Sequence, residues 1–267
     1  MISVIIPSYR NPKYLDLCLH SLTRGQYNNN EIIVILDGYV EESDLVINKY
    51  KGIDVISIPE NKGMQHAINI GVWNASNEKI FIINDDNVFA PNWDEKLKSQ
   101  YDPNEILTVN QIEPTGPGMF NFPVLDCGQT IEKFDMEKFI DEERKLSVNK
   151  KTPDGNIFPF LINKKWFMAV GGFDTFYNSP NWCDWDFFAK LELIPGLTRA
   201  RTHFLHTYHF GSVSTKKNAE AQKFREREAF AMQQYCYKWG VPPHNGKNNT
   251  KFPNGDSSTI RGLHASI

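Results

Sequence analysis

The sequence predicts an α/β fold built on a mostly parallel central sheet, and three observations predict it. Short apolar runs alternate with amphipathic segments of helical period through the first third of the chain, the order of right-handed β-α-β units. The run Ile80-Phe81-Ile82-Ile83 is β-branched and aromatic without alternation, as in a strand buried on both faces. Three apolar runs lead into polar residues, at Ser8, Asp37 and Asp86. Those residues would gather at the rim of an open sheet, where such folds bind ligands.

Residues 3–6 form the first strand, closed by Pro7-Ser8-Tyr9. A helix follows over 14–22, with Leu15, Leu19 and Leu22 on one face and Asn11-Pro12 at its start. Residues 32–36 form a second strand ending at Asp37-Gly38, and 41–50 a helix patterned by Leu45, Val46 and Tyr50. The third strand, 55–58, leads into Pro59-Glu60-Asn61-Lys62-Gly63, then a helix over 64–74 and the fourth strand at 80–83. Beyond this the pattern loosens. Residues 115–118 and 150–155 read as turns, 135–151 as a charged helix running into a loose segment, and 157–162 as a strand. Residues 184–193 read as helix, 202–208 as extended, and 216–239 as a long amphipathic helix through Ala221, Phe224, Ala231 and Tyr235. The Asn-, Gly-, Pro- and Ser-rich stretch after Gly240 reads as a loosely held tail. The expected organisation is one domain over 1–215, with halves meeting near residue 110, and a helix with its tail over 216–267.

Across 267 residues the net charge is -3, without the basic surplus of a nucleic-acid binder. No stretch reaches the ~20 apolar residues of a membrane span, and the N-terminus lacks the basic leader of a signal peptide. Cys18, Cys127, Cys183 and Cys236 are far apart and show no C-x-x-C spacing. That excludes the usual zinc and disulfide patterns and predicts a reducing, cytoplasmic setting.

The acidic turn Asn84-Asp85-Asp86-Asn87 carries the chemistry. Adjacent carboxylates repel, so a site that keeps both calls for a cation. A divalent metal at a sheet rim points to phosphate chemistry. The same residues would also serve as a polar cap for a helix near 91–97. Asp37 could accept from a base or ribose, or close an Asx-turn with Gly38. Asp184 and Asp186 are carboxylates where a helix start would favour them. Trp182 suits either a sugar face or a core.

In order and spacing, these segments resemble the inverting glycosyltransferases of family 2. Val4-Ile5-Ile6-Pro7-Ser8-Tyr9 is similar to the family's opening strand and nucleotide-contacting turn, and Asp37-Gly38 to its acidic second turn. Asn61-Lys62-Gly63 with Ala67, Asn69 and Gly71 resembles the N-x-G…A-x-N-x-G stretch. Asn84-Asp85-Asp86, with Pro91 five positions on, resembles the metal-binding D-x-D motif. Gly171-Gly172-Phe173-Asp174 and Cys183-Asp184-Trp185-Asp186 resemble the acceptor-side G-G-F-D…E-D-x-D pair, and His209-Phe210-Gly211-Ser212, one residue shorter, a terminal H-x-x-G-S.

The resemblance covers about residues 2–215 and implies a GT-A, Rossmann-type nucleotide-binding fold. It implies transfer of a sugar from a nucleoside diphosphate, UDP favoured, to a hydroxyl acceptor such as a glycan, with Mn2+ or Mg2+ as cofactor, in work such as polysaccharide biosynthesis. It assigns the metal to Asp86 and His209, and the nucleotide-sugar to Pro7, Ser8, Tyr9, Asp37, Asn61, Gly63, Asp85 and Asp86. Asp184 is implied as catalytic base, with Trp182 and Asp186 toward the acceptor. Cys183 stands where the family has Glu, and Leu36 where it commonly has a second acidic residue. A nucleotidyltransferase would also use a rim carboxylate and a metal, but Pro7-Ser8-Tyr9-Arg10-Asn11 lacks its Gly-rich basic loop. A catalytically silent carbohydrate-binding protein would need neither base nor metal ligand.

Overall fold

A computed structural model describes residues 1–38, 40–115, 122–155, 157–177, 180–211 and 220–240. Ser212, residues 116–118 of a predicted turn, the 216–219 start of the last predicted helix and the tail beyond Gly240 lie outside the described residues.

The first third follows the expected alternation: β1 (Ser3–Ser8), α1 (Pro12–Gly25), β2 (Glu31–Asp37), α2 (Glu41–Ile47), β3 (Ile53–Ile58), α3 (Met64–Asn74) and β4 (Lys79–Ile82). β3, β2, β1 and β4 lie side by side in that order, all parallel. Side chains alternate across this block. Val4, Ile6, Val34, Leu36 and Phe81 pack on the face covered by α1, with Leu15, Leu19 and Leu22. Ile5, Ile33, Ile35, Ile80 and Ile82 pack on the opposite face with Ala67, Ile68 and Val72 of α3. Gly71 explains how closely α3 approaches: a Cβ there would stand 2.6 Å from both Ile35 Cδ1 and Ile5 Cγ2.

The second half departs from the periodicity reading. β5 (Asn87–Phe89), α4 (Trp93–Ser99) and β6 (Glu105–Ile112) come next, and neither β5 nor β6 is in the sequence reading. α5 (Met136–Leu146) starts at Asp135, whose carboxylate caps it by accepting from Lys138 N at 2.9 Å. β7 (Lys151–Thr152) follows, then β8 (Phe160–Asn163), shorter than the expected 157–162 strand. Pro159 cannot donate to a ladder, so pairing begins after it. α6 (Lys164–Ala169) and α7 (Pro180–Glu192) precede β9 (Thr198–His209) and α8 (Glu220–Trp239).

The sheet continues β4-β8-β6-β9-β5, with β7 pairing with β9. β8 is antiparallel to both neighbours, β6 and β9 are parallel, and β5 and β7 run antiparallel to β9. The longest pairings are therefore parallel, and the sheet is mixed toward its second edge. No helix among the described residues is long and apolar enough to cross a membrane.

Candidate active site

The parallel block places the predicted polar residues on one rim. Ile5 lies opposite Ile82, Ser8 opposite Leu36, and Asp37 opposite Ile58, so the ends of β1, β2, β3 and β4 are neighbours. Three residues beyond the Ile5–Ile82 pair, Ser8 Oγ donates to Asp85 Oδ2 at 2.7 Å, and Asn11 Nδ2 donates to Asp85 Oδ1 at 3.0 Å. Asp85 is thus tied to the opening turn. Burial first, and the Asp86 charge second, push its carboxyl up to about 7. Pro7 is partly buried, while the Tyr9 ring is exposed beside the Arg10 guanidinium, 5.1 Å from its centroid.

Asp86 is buried at 7% exposure. β5 starts at Asn87 and pairs Asn87 with His209, so the acidic turn and the end of β9 meet directly. His209 Nε2 lies 3.6 Å from Asp86 Oδ1. Its Nδ1 lies 3.2 Å from Glu113 Oε1, just past the end of β6. Glu113 is absent from the sequence assignments, because 105–112 was not expected as a strand. Ile106-Leu107-Thr108-Val109 is the apolar signal of a strand, but Asn110 and Gln111 break it before Glu113.

Among the described residues no three His, Cys, Asp or Glu side chains are arranged to hold a metal ion by themselves. The donor set nevertheless fits a cation shared with a ligand: one carboxylate oxygen and one imidazole nitrogen face each other, and diphosphate oxygens can complete such a shell.

Asp37 is buried, and its carboxylate closes the next loop. Lys62 N donates to Oδ1 at 2.7 Å and Gly63 N to Oδ2 at 2.8 Å, while Asn61 Nδ2 donates to its backbone carbonyl at 3.3 Å. The Asx-turn with Gly38 is replaced by this longer clasp. Gly38 has φ +82 and a Cβ there would stand 2.2 Å from Asn61 N, so the turn needs glycine. Asn61 is otherwise exposed.

α3 links the rim to the segment around Phe173 and Tyr177. Asn69 Nδ2 donates to Phe173 O and Phe173 N donates to Asn69 Oδ1, both at 2.8 Å. Gln65 Nε2 donates to Tyr177 O at 2.9 Å. α7 therefore starts beside the end of α3 that leaves the rim, and it starts at Pro180, ahead of the expected 184. Asp184 lies inside it, partly buried, with Trp185 N donating to Oδ1 at 2.8 Å. Burial holds its carboxyl well above the usual carboxylate range, and Glu228 of α8, another residue the sequence reading passed over, adds to the rise. Cys183 is buried, with burial and then the Asp184 charge raising its thiol.

Asp186 is not on an open surface. It is fully buried and accepts from Trp239 Nε1 at 2.9 Å and Tyr177 Oη at 3.3 Å. Lys238 Nζ lies 2.8 Å from Asp186 Oδ1 and donates to Asp174 Oδ2 at 2.8 Å, while Lys190 Nζ lies 3.7 Å from Asp186 Oδ2. Asp186, expected toward the acceptor, is tied by these contacts to α8. Trp182 is partly buried with its ring 5.6 Å from Trp185 and 5.5 Å from Tyr235, so it packs α7 against α8.

Known proteins agree with this architecture. A family model described as Glycosyl transferase family 2 matches residues 3–171. An "Uncharacterized glycosyltransferase" of Haemophilus influenzae is 29% identical over 210 residues, 78% of this chain and 67% of that protein. Glycosyltransferase GlyG of Streptococcus pneumoniae is 33% identical over 104 residues, 38% of this chain and 35% of that protein. Among solved structures, S. aureus TarS superposes with a TM-score of 0.60 at 14% identity, over 88% of this chain and 39% of TarS. The mannosyltransferase PcManGT from Pyrobaculum calidifontis, in complex with GDP-Man and Mn2+, gives 0.58 at 15% identity over 91% of this chain and 66% of that one. The chain thus spans about two thirds of the first relative and little more than a third of GlyG and TarS. The shared fold is the GT-A-like α/β architecture, and the chain belongs to glycosyl transferase family 2.

Proposed function

We propose that this protein transfers a sugar from a nucleoside diphosphate, UDP favoured, to a hydroxyl of a glycan or similar acceptor, with inversion at the anomeric carbon. The observation that carries the reading is the meeting of Asp86 with His209 at the same rim where Ser8 and Asn11 hold Asp85. Two solved relatives in fold support the donor class: S. aureus TarS 1-349 is known in complex with UDP and with UDP-GlcNAc, and PcManGT with GDP-Man and Mn2+.

The turn at Pro7, Ser8 and Tyr9 offers backbone groups and an exposed ring to a base. The Asp37 clasp shapes the loop at Asn61 and Gly63 against the nucleotide. Asp85, tied to the opening turn, faces the ribose. Asp86 and His209 would hold Mn2+ or Mg2+, which supplies positive charge to the departing diphosphate. Asp184 takes the proton of the acceptor hydroxyl as its oxygen attacks the face opposite the diphosphate. A carboxylate whose proton affinity is raised by burial suits that task better than an exposed one. Trp182 and Asp186 frame the acceptor side from behind by fixing α8. All four cysteines are free, in keeping with a cytoplasmic setting.

The test is release of nucleoside diphosphate with manganese, alongside nucleotide binding. Asp86→Ala should abolish transfer and weaken nucleotide–metal binding. Asp184→Ala should lower turnover by about 10²–10⁴-fold with binding retained. Near-parental turnover in Asp184→Ala would remove the base assignment.

A further inference from the structure

The proposed reading uses His209 but leaves Glu113 without a role. Three observations place Glu113 on the far side of that ring. β6 and β9 are parallel with Ile112 opposite Tyr208, so the next pair along brings Glu113 beside His209. Glu113 Oε1 stands 3.2 Å from His209 Nδ1, while Nε2 faces Asp86 across 3.6 Å. The Glu113 backbone is pinned: its N–H donates to Pro123 O at 3.0 Å, and its carbonyl accepts from Leu125 N at 2.9 Å. The two side chains are only 18% and 17% exposed, so water competes weakly for the contact.

A neutral imidazole carries its proton on one nitrogen or the other, and a hydrogen bond to one selects the tautomer. A carboxylate at Nδ1 accepts the Nδ1–H and leaves Nε2 with its lone pair. It also stops the ring from turning about its χ2 axis. Ligating histidines are oriented by carboxylates in this way, and loss of such a partner typically costs metal affinity.

We propose that Glu113 is the positioning residue for His209: it holds the proton on Nδ1 and aims the Nε2 lone pair at the space beside Asp86. This inference rests on the reading of Asp86 and His209 as the metal-holding pair. It predicts that Glu113 acts through the ring and not as a ligand, in line with its place on the opposite nitrogen.

The experiment uses the full chain without transfer chemistry. Mn2+ affinity is measured by electron paramagnetic resonance of the free ion in the presence of UDP, for parent, Asp86→Ala, His209→Ala, Glu113→Ala, Glu113→Gln and Glu113→Ala/His209→Ala. Glu113→Ala should weaken Mn2+ by about 10–100-fold. Glu113→Gln, which keeps an oxygen able to accept from Nδ1–H, should recover part of that loss. In the His209→Ala background, removing Glu113 should cost nothing further, because the ring it positions is gone. Parental affinity in both Asp86→Ala and His209→Ala removes the metal reading and this inference with it. Weakened affinity in those two with parental affinity in Glu113→Ala overturns the inference alone. An undiminished Glu113 effect in the His209→Ala background also overturns it, since Glu113 would then act on the ion directly. Nitrogen-15 spectra of the metal-free parent give a readout that needs no Glu113 variant to fold. The His209 ring, assigned by its loss in His209→Ala, should be protonated on Nδ1 near neutral pH, and protonation on Nε2 overturns the proposal.

Discussion

Lys238→Met asks how much the anchor of α8 contributes to stability. In the parent the Lys238 ammonium lies 2.8 Å from Asp186 Oδ1 and 2.8 Å from Asp174 Oδ2, and Asp186 has no exposed surface. Methionine keeps most of the stem's volume, so packing is largely preserved. The variant leaves Asp186 facing the Lys190 ammonium at 3.7 Å. Stripping a buried carboxylate of its partner costs about 3–5 kcal/mol. For a chain of this size that lowers the melting temperature by about 6–20 °C. Asp186→Asn/Lys238→Met keeps an oxygen for the Trp239 indole and removes the stranded charge, so the double variant should be more stable than the two losses added, by about 1–3 kcal/mol. The pH dependence has a definite sign. Burial by itself would lower the Lys238 pKa, but Asp186 and Asp174 outweigh it and the net direction is up. A lysine raised on folding contributes fully below its unfolded value of 10.5, and the contribution is lost as pH climbs through the higher folded value. Urea unfolding should therefore show a parent–variant gap that is constant from neutral pH to about 10 and then narrows. A gap below about 1 kcal/mol at pH 7, the range of an exposed ion pair, would refute the reasoning.

His206 supplies a second pH signature. It is 2% exposed, and burial first, then the charges of His203 and Lys96, lower its pKa from 6.5 to about 4. The folded state then binds fewer protons than the unfolded one between those values, so stability falls by about 3 kcal/mol as pH drops from 6.5 to 4. His206→Gln should flatten that segment of a urea-midpoint-against-pH curve, and an unchanged slope would contradict it. Gly38→Ala should cost about 1–3 kcal/mol from its φ of +82 and the 2.2 Å approach to Asn61 N, read as a lower urea midpoint. An unchanged midpoint would show that the Asp37 loop yields freely.

The first four strands were legible because each is a local pattern. Apolar runs, turn residues and helical spacing lie within a few positions of one another, and a parallel β-α-β path follows from them. β5 and β6 were not, for different reasons. Asn87-Val88-Phe89 is too short to show a period, and it pairs with Tyr208 and His209 far along the chain. The β6 run has a helix before it but no helical pattern directly after it, and its neighbours β8 and β9 come from much later residues. The acidic turn and His209 were each readable as motifs, whereas their meeting depends on that distant pairing. Asp186 shows the opposite case. Its position beside Asp184 suggested an open site, but a helix turns about 100° per residue. Two positions on, the side chain faces the packing side toward Trp239 and Lys238. Spacing in a helix sets two side chains apart, but which of them packs is decided here by Trp239 and Lys238, far along the chain.

α3 has a mechanical consequence. Its preceding loop is clasped by Asp37, while Asn69 and Gln65 grip Phe173 and Tyr177. One short helix is therefore a strut between the rim and the segment around Phe173 and Tyr177, and Gly71 presses it onto the sheet with no slack. An insertion of one residue between Gly63 and Asn69 would rotate the amide by about 100° and shift it by about 1.5 Å along the axis. Both bonds to Phe173 would break together, so the length of this helix is constrained as tightly as its composition.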